Sequence, residues 1–152
     1  MMNLLRTNSN NKDFINLVAL LDAELAVTDG DDHEFYNQFN KIDKLKYAVV
    51  AFEKDNLLGC GALKKYGLNS VEVKRMFVLP DSRGQGIASK ILTELENWAS
   101  ELGFDSCVLE TGKKQPEAVQ LYKKSGYQLV PNFGQYVGVE NSLCFEKRLT
   151  VS

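Results

Sequence analysis

The sequence EVKRMFVLPDSRGQGIASKIL, residues 72–92, contains the change from strand to helix on which the fold depends. It begins within a strand-like stretch over 70–79 that ends in a continuous apolar run, typical of a central strand covered on both faces. Pro80 ends this strand, because proline has no backbone N–H to donate. Downstream, apolar residues at positions 87, 91, 95, 98 and 102 have helical spacing and predict a long amphipathic helix that ends near Gly103.

The segment RGQGIAS, residues 83–89, lies between that strand and that helix. Two glycines separated by one residue allow a tight turn and a close approach of a ligand to the backbone. The first N–H groups of the helix lack partners within it and lie at the positive end of its dipole, so the segment suits a phosphate or pyrophosphate. Arg83 can add a charge contact. The alternative is a simple turn, because neither G-x-x-x-x-G-K-[ST] nor a complete G-x-G-x-x-G is present.

The remaining sequence predicts further strands and helices on either side of this segment. We expect strands over 2–6, 46–53, 57–64, 105–110, 127–130 and 142–149, and helices ending near 27 and covering 34–39 and 116–125. No repeat or linker interrupts the pattern, so we expect a single domain over residues 1–152. The predicted class is α/β, with helices on both faces of one mixed sheet.

Two blocks of the sequence resemble the GNAT superfamily of N-acetyltransferases. Residues 83–89 are similar to the family's R-G-x-G-[IV]-[AG] loop, although Asp81 stands where many members have Gln or Arg. The second block, QPEAVQLYKKSGY at 115–127, is similar to N-x-x-A-x-x-L-Y-x-x-x-G-[FY], with Gln115 in place of the usual Asn. The resemblance covers about residues 45–149. It implies a mixed, mostly antiparallel sheet of six to seven strands, in which the fourth and fifth strands separate to admit a cofactor.

The resemblance implies acetyl-CoA as the co-substrate and suggests where it binds. Its pyrophosphate is expected at the loop residues Arg83, Gly84, Gln85, Gly86, Ile87, Ala88 and Ser89. Gln115 is a further candidate contact. Strand residues Met76, Phe77 and Val78 are expected to pair with the amide-bearing pantetheine arm, in effect as an added strand. The backbone N–H of Phe77 or Val78 is the expected donor to the thioester carbonyl oxygen.

The resemblance also implies a general acid and a general base for acyl transfer to an amine. Tyr122 stands at the position of the family's usual acid, which protonates the departing thiolate; the alternative is a tyrosine of the core. Glu72 stands where some members carry a carboxylate base; the alternative is a glutamate in solvent. Strand alternation would place Glu72 on the same face as Lys74, Met76 and Val78, so that it could point into the cleft.

The acceptor is expected to be a small molecule or a peptide with a primary amine, and a cationic one. Carboxylates follow the first helix in TDGDDHEFYNQF, residues 28–39, where Asp29, Asp32 and Tyr36 are the candidate acceptor residues. Carboxylates attract an ammonium group, and an aromatic ring adds a cation–π contact. The alternative is that these aspartates cap a short helix. The stretch 131–147 is either a wall of the acceptor pocket or an ordinary hairpin loop.

The composition argues against several other classes of protein. A net charge of −2 and a pI near 5.5 argue against nucleic acid as a partner. No apolar run has the length of a membrane span or a signal peptide, so we expect a cytoplasmic protein without a membrane partner. His33 is the single histidine, which excludes a zinc site built on several histidines and leaves a histidine-dependent hydrolase without a supporting motif. We expect no metal, and three buried free thiols at Cys60, Cys107 and Cys144.

Two further expectations come with the resemblance. A non-catalytic module that senses acyl-CoA is the alternative to an enzyme, and the presence of both Tyr122 and Glu72 favours the enzyme. Homodimers are common in the resembling family, so a homodimer is a candidate assembly.

Overall fold

The computed structural model describes residues 2–30 and 45–149, which form a seven-stranded sheet and three α-helices. The strands are β1 (Asn3–Thr7), β2 (Tyr47–Glu53), β3 (Asn56–Lys65), β4 (Ser70–Val78), β5 (Ser106–Gly112), β6 (Gln128–Val130) and β7 (Ser142–Arg148). The helices are α1 (Lys12–Asp29), α2 (Ile87–Glu101) and α3 (Pro116–Lys124). The helix expected over 34–39 lies outside the described residues. Within the described ranges, no helix combines the length and the apolar character needed to cross a membrane.

The sheet has the order β1-β2-β3-β4-β5-β7-β6, and β4–β5 is its one parallel pair. These two strands pair only over Ser70–Glu72 and Ser106–Val108. Beyond that point β4 stays paired with β3 and β5 with β7, so the two halves of the sheet diverge. The structure therefore confirms the mixed, mostly antiparallel sheet with separating fourth and fifth strands.

Helices cover both faces of this sheet, as predicted. On one face the buried residues Phe14 and Leu17 of α1 pack with Val50. Its neighbour Val49 points to the other face, into the apolar cluster of α2. The buried apolar residues that α2 contributes there are Ile87, Ile91, Leu92, Leu95 and Ala99. Each of the leucine and isoleucine side chains contributes about 1.5–3 kcal/mol by leaving water, which fixes α2 against the sheet.

A β-bulge in β4 shifts its pairing with β3. Cys60 pairs with Phe77 and Ala62 with Lys74, so a single residue of β3 lies opposite two residues of β4. Arg75, within the bulge, has a left-handed φ of 59°. An extra residue of this kind bends a strand and changes the faces to which the following side chains point.

The bulge corrects one expectation about β4. Val73 belongs to the α2 cluster, so Glu72 and Lys74 project towards the opposite face, that of α1. After the bulge the alternation is reversed, and Met76 and Val78 pack with the α2 cluster. The expectation that Glu72, Met76 and Val78 share one face was therefore wrong, because simple alternation does not allow for an inserted residue.

Gly59 sets the close spacing of β3 and β4. A methyl group there would overlap the carbonyl oxygen of Phe77 and lie 3.2 Å from Cδ1 of Ile91. We expect Gly59→Ala to lower the free energy of unfolding by about 1–3 kcal/mol, measured by chemical denaturation. Gly67→Ala is the matched control, because a methyl group at Gly67 meets no atom within 4 Å. Equal stability of the two variants would contradict a steric role for Gly59.

Candidate active site

A cleft of about 900 Å³ opens where β4 and β5 diverge. It is bounded by the second half of α1, the end of β4, the start of α2 and the start of α3. The predicted cofactor residues that line it are Met76, Phe77, Val78, Arg83, Gly84, Gly86, Ile87, Ala88, Ser89 and Gln115. Gln85 is exposed and lies outside this lining, so its contact with the cofactor stays a prediction. The structure thus gathers most of the predicted cofactor residues around one cavity.

The loop before α2 has the geometry of an anion cradle. Gly84 and Gly86 have φ values of 80° and 77°, a conformation that side-chain-bearing residues rarely adopt. A Cβ built on either glycine meets no atom within 4 Å, so the space beside both is open. Among the residues that the structure describes, no side chain caps the N-terminus of α2, and the first turn of this helix carries no acidic residue. N–H groups without intrahelical partners at the positive end of a helix suit an anionic group such as a phosphate or pyrophosphate.

Arg83 fixes this loop against its neighbours. Its Nε donates to the carbonyl oxygen of Val78 at 2.9 Å, and its Nη2 donates to the Glu24 carboxylate of α1 at 2.8 and 3.0 Å. The guanidinium also lies 5.7 Å from the centre of the Phe77 ring. Sequence reasoning singled out Arg83 for an anion contact but missed Glu24, which shares the same guanidinium and also lines the cleft.

A smaller chamber of about 120 Å³ adjoins the cleft. The two cavities share lining residues, among them Met76, Gln115 and Tyr122. The ionisable residues that line the chamber are Glu72, Lys74, Arg75, Glu110, Tyr122 and Tyr136. The predicted acid and the predicted base therefore lie around one small, charged cavity next to the cleft.

Tyr122 of α3 is both a core residue and a cavity-lining residue. Only 6% of it is exposed, and its ring packs against Tyr127 and Phe145 at centroid distances of 5.8 and 6.3 Å. Burial, with a smaller contribution from the Glu110 carboxylate, raises the pKa of its phenol. The hydroxyl therefore keeps its proton at neutral pH, as a general acid must.

Glu72 is buried at the edge of the same chamber. It is 6% exposed, which excludes the interpretation as a glutamate in solvent. Its Oε2 lies 3.6 Å from Nζ of Lys74. Burial raises the pKa of the Glu72 carboxyl, and this outweighs the opposing effects of Lys74, Lys64 and a hydrogen bond with Tyr136. A carboxylate with a raised pKa is a better proton acceptor near neutrality.

The 131–147 stretch is a hairpin connection and also a wall of the chamber. Its first part joins the antiparallel pair β6 and β7. Within it, Tyr136 is 2% exposed and lines the chamber. The Phe133 ring packs edge-on against the Tyr136 ring at 5.9 Å, and Nδ2 of Asn132 donates to the carbonyl oxygen of Tyr136 at 3.1 Å. The stretch is therefore in part an ordinary hairpin connection, and its role as a wall of the acceptor pocket stays a prediction.

Most of the acidic segment after α1 lies outside the described residues. Asp32 and Tyr36 lie outside the described residues, and Asp29 ends α1 with its side chain outside the description. Their contacts with an acceptor stay predictions. Sequence reasoning missed Arg75 and Glu110. Glu110 is the one charged residue of β5, and this was a usable signal.

The cysteines have the state expected from the sequence, since all three are buried free thiols. In the part of the chain that the structure describes, no group of three or more His, Cys, Asp or Glu side chains is arranged to hold a metal ion.

Comparison with known proteins gives one consistent similarity. The chain matches the model of the acetyltransferase (GNAT) family over residues 14–127. It is 38% identical over 106 residues to an IAA acetyltransferase of Azospirillum brasilense. That match covers 66% of this chain and 67% of the relative. It is also 33% identical over 114 residues to YsnE, an uncharacterised N-acetyltransferase of Bacillus subtilis. That match covers 71% of this chain and 76% of YsnE.

Solved structures show the same similarity. A structure from Klebsiella pneumoniae described as an acyl-CoA N-acyltransferase superposes with a TM-score of 0.82 and 28% identity, and the match covers 99% of each chain. The PaiA N-acetyltransferase of Thermoplasma acidophilum, solved in complex with coenzyme A, superposes with a TM-score of 0.71 and 17% identity. That match covers 97% of this chain and 99% of PaiA, and at this identity it shows the fold alone.

Proposed function

The chain belongs to the GNAT family of acetyltransferases, and from this premise we propose that it moves an acetyl group from acetyl-CoA to a primary amine. The acceptor is a small molecule or a peptide, and it attacks directly in a ternary complex. The observation that carries the proposal is the cleft between the diverging strands, with an anion cradle at one end and a chamber holding Glu72 and Tyr122 beside it.

The residues of the cleft fit acetyl-CoA in type and position. The Gly84–Gly86 turn and the uncapped N-terminus of α2 would hold the pyrophosphate. The end of β4 has no partner in β5, so its backbone is available to the amides of the pantetheine arm. Bound acetyl-CoA supplies the acetyl group as a reactive thioester.

The chain's own residues then manage the protons of the transfer. The acceptor's ammonium gives up a proton to the Glu72 carboxylate, directly or through water, and becomes a neutral nucleophile. The new N–C bond forms as the C–S bond breaks, and the phenol of Tyr122 gives its proton to the departing sulfur. The nitrogen then loses its surplus proton, directly or through water, to the Tyr122 phenolate, which leaves a neutral amide and restores the phenol. The backbone N–H of Phe77 or Val78 donates to the carbonyl oxygen, where negative charge develops.

The first experiment separates an enzyme from a sensor. Release of CoA is followed with a panel of amino acids, polyamines, aminoglycosides and peptides, together with isothermal titration of acetyl-CoA. Steady release that requires an acceptor supports the proposal. Tight binding of acetyl-CoA without turnover supports the sensor and contradicts the proposal.

Glu72→Gln is expected to remove the low-pH limb of the kcat/KM profile. In the wild-type protein kcat/KM should rise with pH as the Glu72 carboxyl loses its proton, at a pH above the usual range for glutamate because burial raises its pKa. The acceptor's own ammonium also titrates, so the profile is measured with two acceptors of different amine pKa. The part of the profile that reflects Glu72 should lie at the same pH for both acceptors. A variant profile identical to that of wild type would remove Glu72 as the base.

A further inference from the structure

Arg75 is one of the residues that line the smaller chamber, and its buried guanidinium has an unused donor. Its side chain is 2% exposed, and its Nη1 donates to Oδ1 of Asp22 on α1 at 2.8 Å. Its Nη2 is buried and has no hydrogen-bond partner among the described residues. Buried donors are nearly always paired, so an unpaired one next to a cavity indicates a partner that arrives from outside.

The backbone at Arg75 gives an independent reason to look for a function. Its left-handed φ of 59° would suit glycine or asparagine better, because the Cβ of other residues is crowded there. Strained residues of this kind cluster at functional sites, where the surrounding structure holds them in place. Here the bulge on β4 holds the guanidinium between α1 and the chamber.

The other charges around the chamber are of both signs. Glu72 and Lys74 form a pair on β4, and Glu110 projects from β5 on the far side of the opening. Asp22 offsets part of the charge of Arg75. A ligand in this chamber therefore meets carboxylates at one part of the wall and a guanidinium at another. Such a wall is complementary to a molecule that carries both a cation and an anion.

We propose that the acceptor carries an anionic group besides its amine, as a free amino acid does, and that Arg75 binds this group through Nη2. The inference rests on the proposed function and specifies its acceptor. The amine of the acceptor lies towards Glu72 and Tyr122, and its carboxylate lies towards Arg75. A volume of about 120 Å³ suits the compact head of an amino acid, in which the two groups are separated by one carbon.

The test compares each acceptor with a partner that lacks the anion. The L-amino acids and the corresponding amino acid amides are assayed for CoA release at saturating acetyl-CoA. A charge-assisted hydrogen bond to a buried guanidinium predicts that kcat/KM for the best amino acid exceeds that for its amide by about 10- to 100-fold. Matched aminoalkylphosphonates show whether the site takes a carboxylate or a phosphonate as its anion.

Variants assign this preference to one side chain. Arg75→Gln should bring the ratio of the two kcat/KM values close to one, and Arg75→Lys should restore part of it. Arg6→Gln is the matched control, because Arg6 pairs with Glu94 and Glu101 and lines neither cavity. The two kcat/KM values of each ratio are measured on the same sample of a variant. Partial unfolding therefore lowers both values equally and leaves their ratio unchanged.

The outcomes separate this inference from the proposed function. If simple amines or the amides are acetylated as well as the amino acids, the inference is wrong and the acetyltransferase stands. If the preference exists but survives Arg75→Gln, the anion is bound elsewhere and the inference is again wrong. If no amine supports CoA release, the proposed function fails and the inference fails with it. If Arg75→Gln does not fold, the amino acid to amide ratios of wild type and Arg75→Lys are compared. A smaller ratio in Arg75→Lys supports the inference, and an equal ratio contradicts it.

Discussion

Tyr122→Phe is expected to lower kcat about 100-fold or more and to leave acetyl-CoA affinity nearly unchanged. The substitution removes one hydroxyl oxygen from a ring that is packed against Tyr127 and Phe145, and phenylalanine keeps that packing. The lost proton donor affects only the step in which sulfur departs. The measurement is steady-state kinetics with the best acceptor, alongside isothermal titration of acetyl-CoA.

Tyr127→Phe is the matched control for this experiment. Tyr127 is 4% exposed and belongs to the same apolar cluster, but it lines neither the cleft nor the chamber. Its variant should keep a near-normal kcat. If the two variants behave alike, Tyr122 is a core residue and the acid must be sought elsewhere.

Gly86→Val is expected to weaken acetyl-CoA binding by about 100-fold or more. The φ of 77° strains any branched residue, and the new side chain would stand in the open space above the cradle. Losing two charge-assisted hydrogen bonds to a pyrophosphate would account for an effect of this size. Isothermal titration with acetyl-CoA measures it directly.

The same helix supplies the control for Gly86. Gly103 follows the other end of α2, has a φ of 91°, and likewise has no atom within 4 Å of a built Cβ. Gly103→Val therefore carries a similar backbone strain away from the cleft and should bind acetyl-CoA normally. Unchanged affinity in a folded Gly86→Val variant would mean that the 83–89 loop is only a turn.

The sequence predicted the parts of this molecule that depend on local pattern. The unit of β4, loop and α2 was predictable because its apolar periodicity, its proline and its glycines lie within one continuous segment. The pairing of a loop with an uncapped helix N-terminus follows from the same local features. The sheet arrangement then followed from the resemblance, which covers the strands and helices of residues 45–149.

The parts that escaped prediction depend on residues from distant segments. The bulge at Arg75 arises where β4 meets β3, and nothing in VEVKRMFV alone marks an inserted residue. The chamber combines Arg75 and Glu72 with Glu110 of β5 and Tyr136 of the following hairpin, and only the folded sheet brings them together. The acceptor contacts of Asp32 and Tyr36, which lie outside the described ranges, stay predictions.

The short parallel junction between β4 and β5 also has a consequence for folding kinetics. The β2–β3 and β3–β4 pairs join neighbouring strands through short turns, so their contacts are local and close quickly. The junction instead joins Ser70 to Ser106, whose hydroxyl groups lie 2.7 Å apart after a separation of 36 residues. Closing this longer loop costs more chain entropy than closing the short turns, so the β4–β5 junction is expected to form after the β2–β3 and β3–β4 pairs. We therefore expect the cleft, whose two walls meet only at this junction, to be among the last features of the molecule to form.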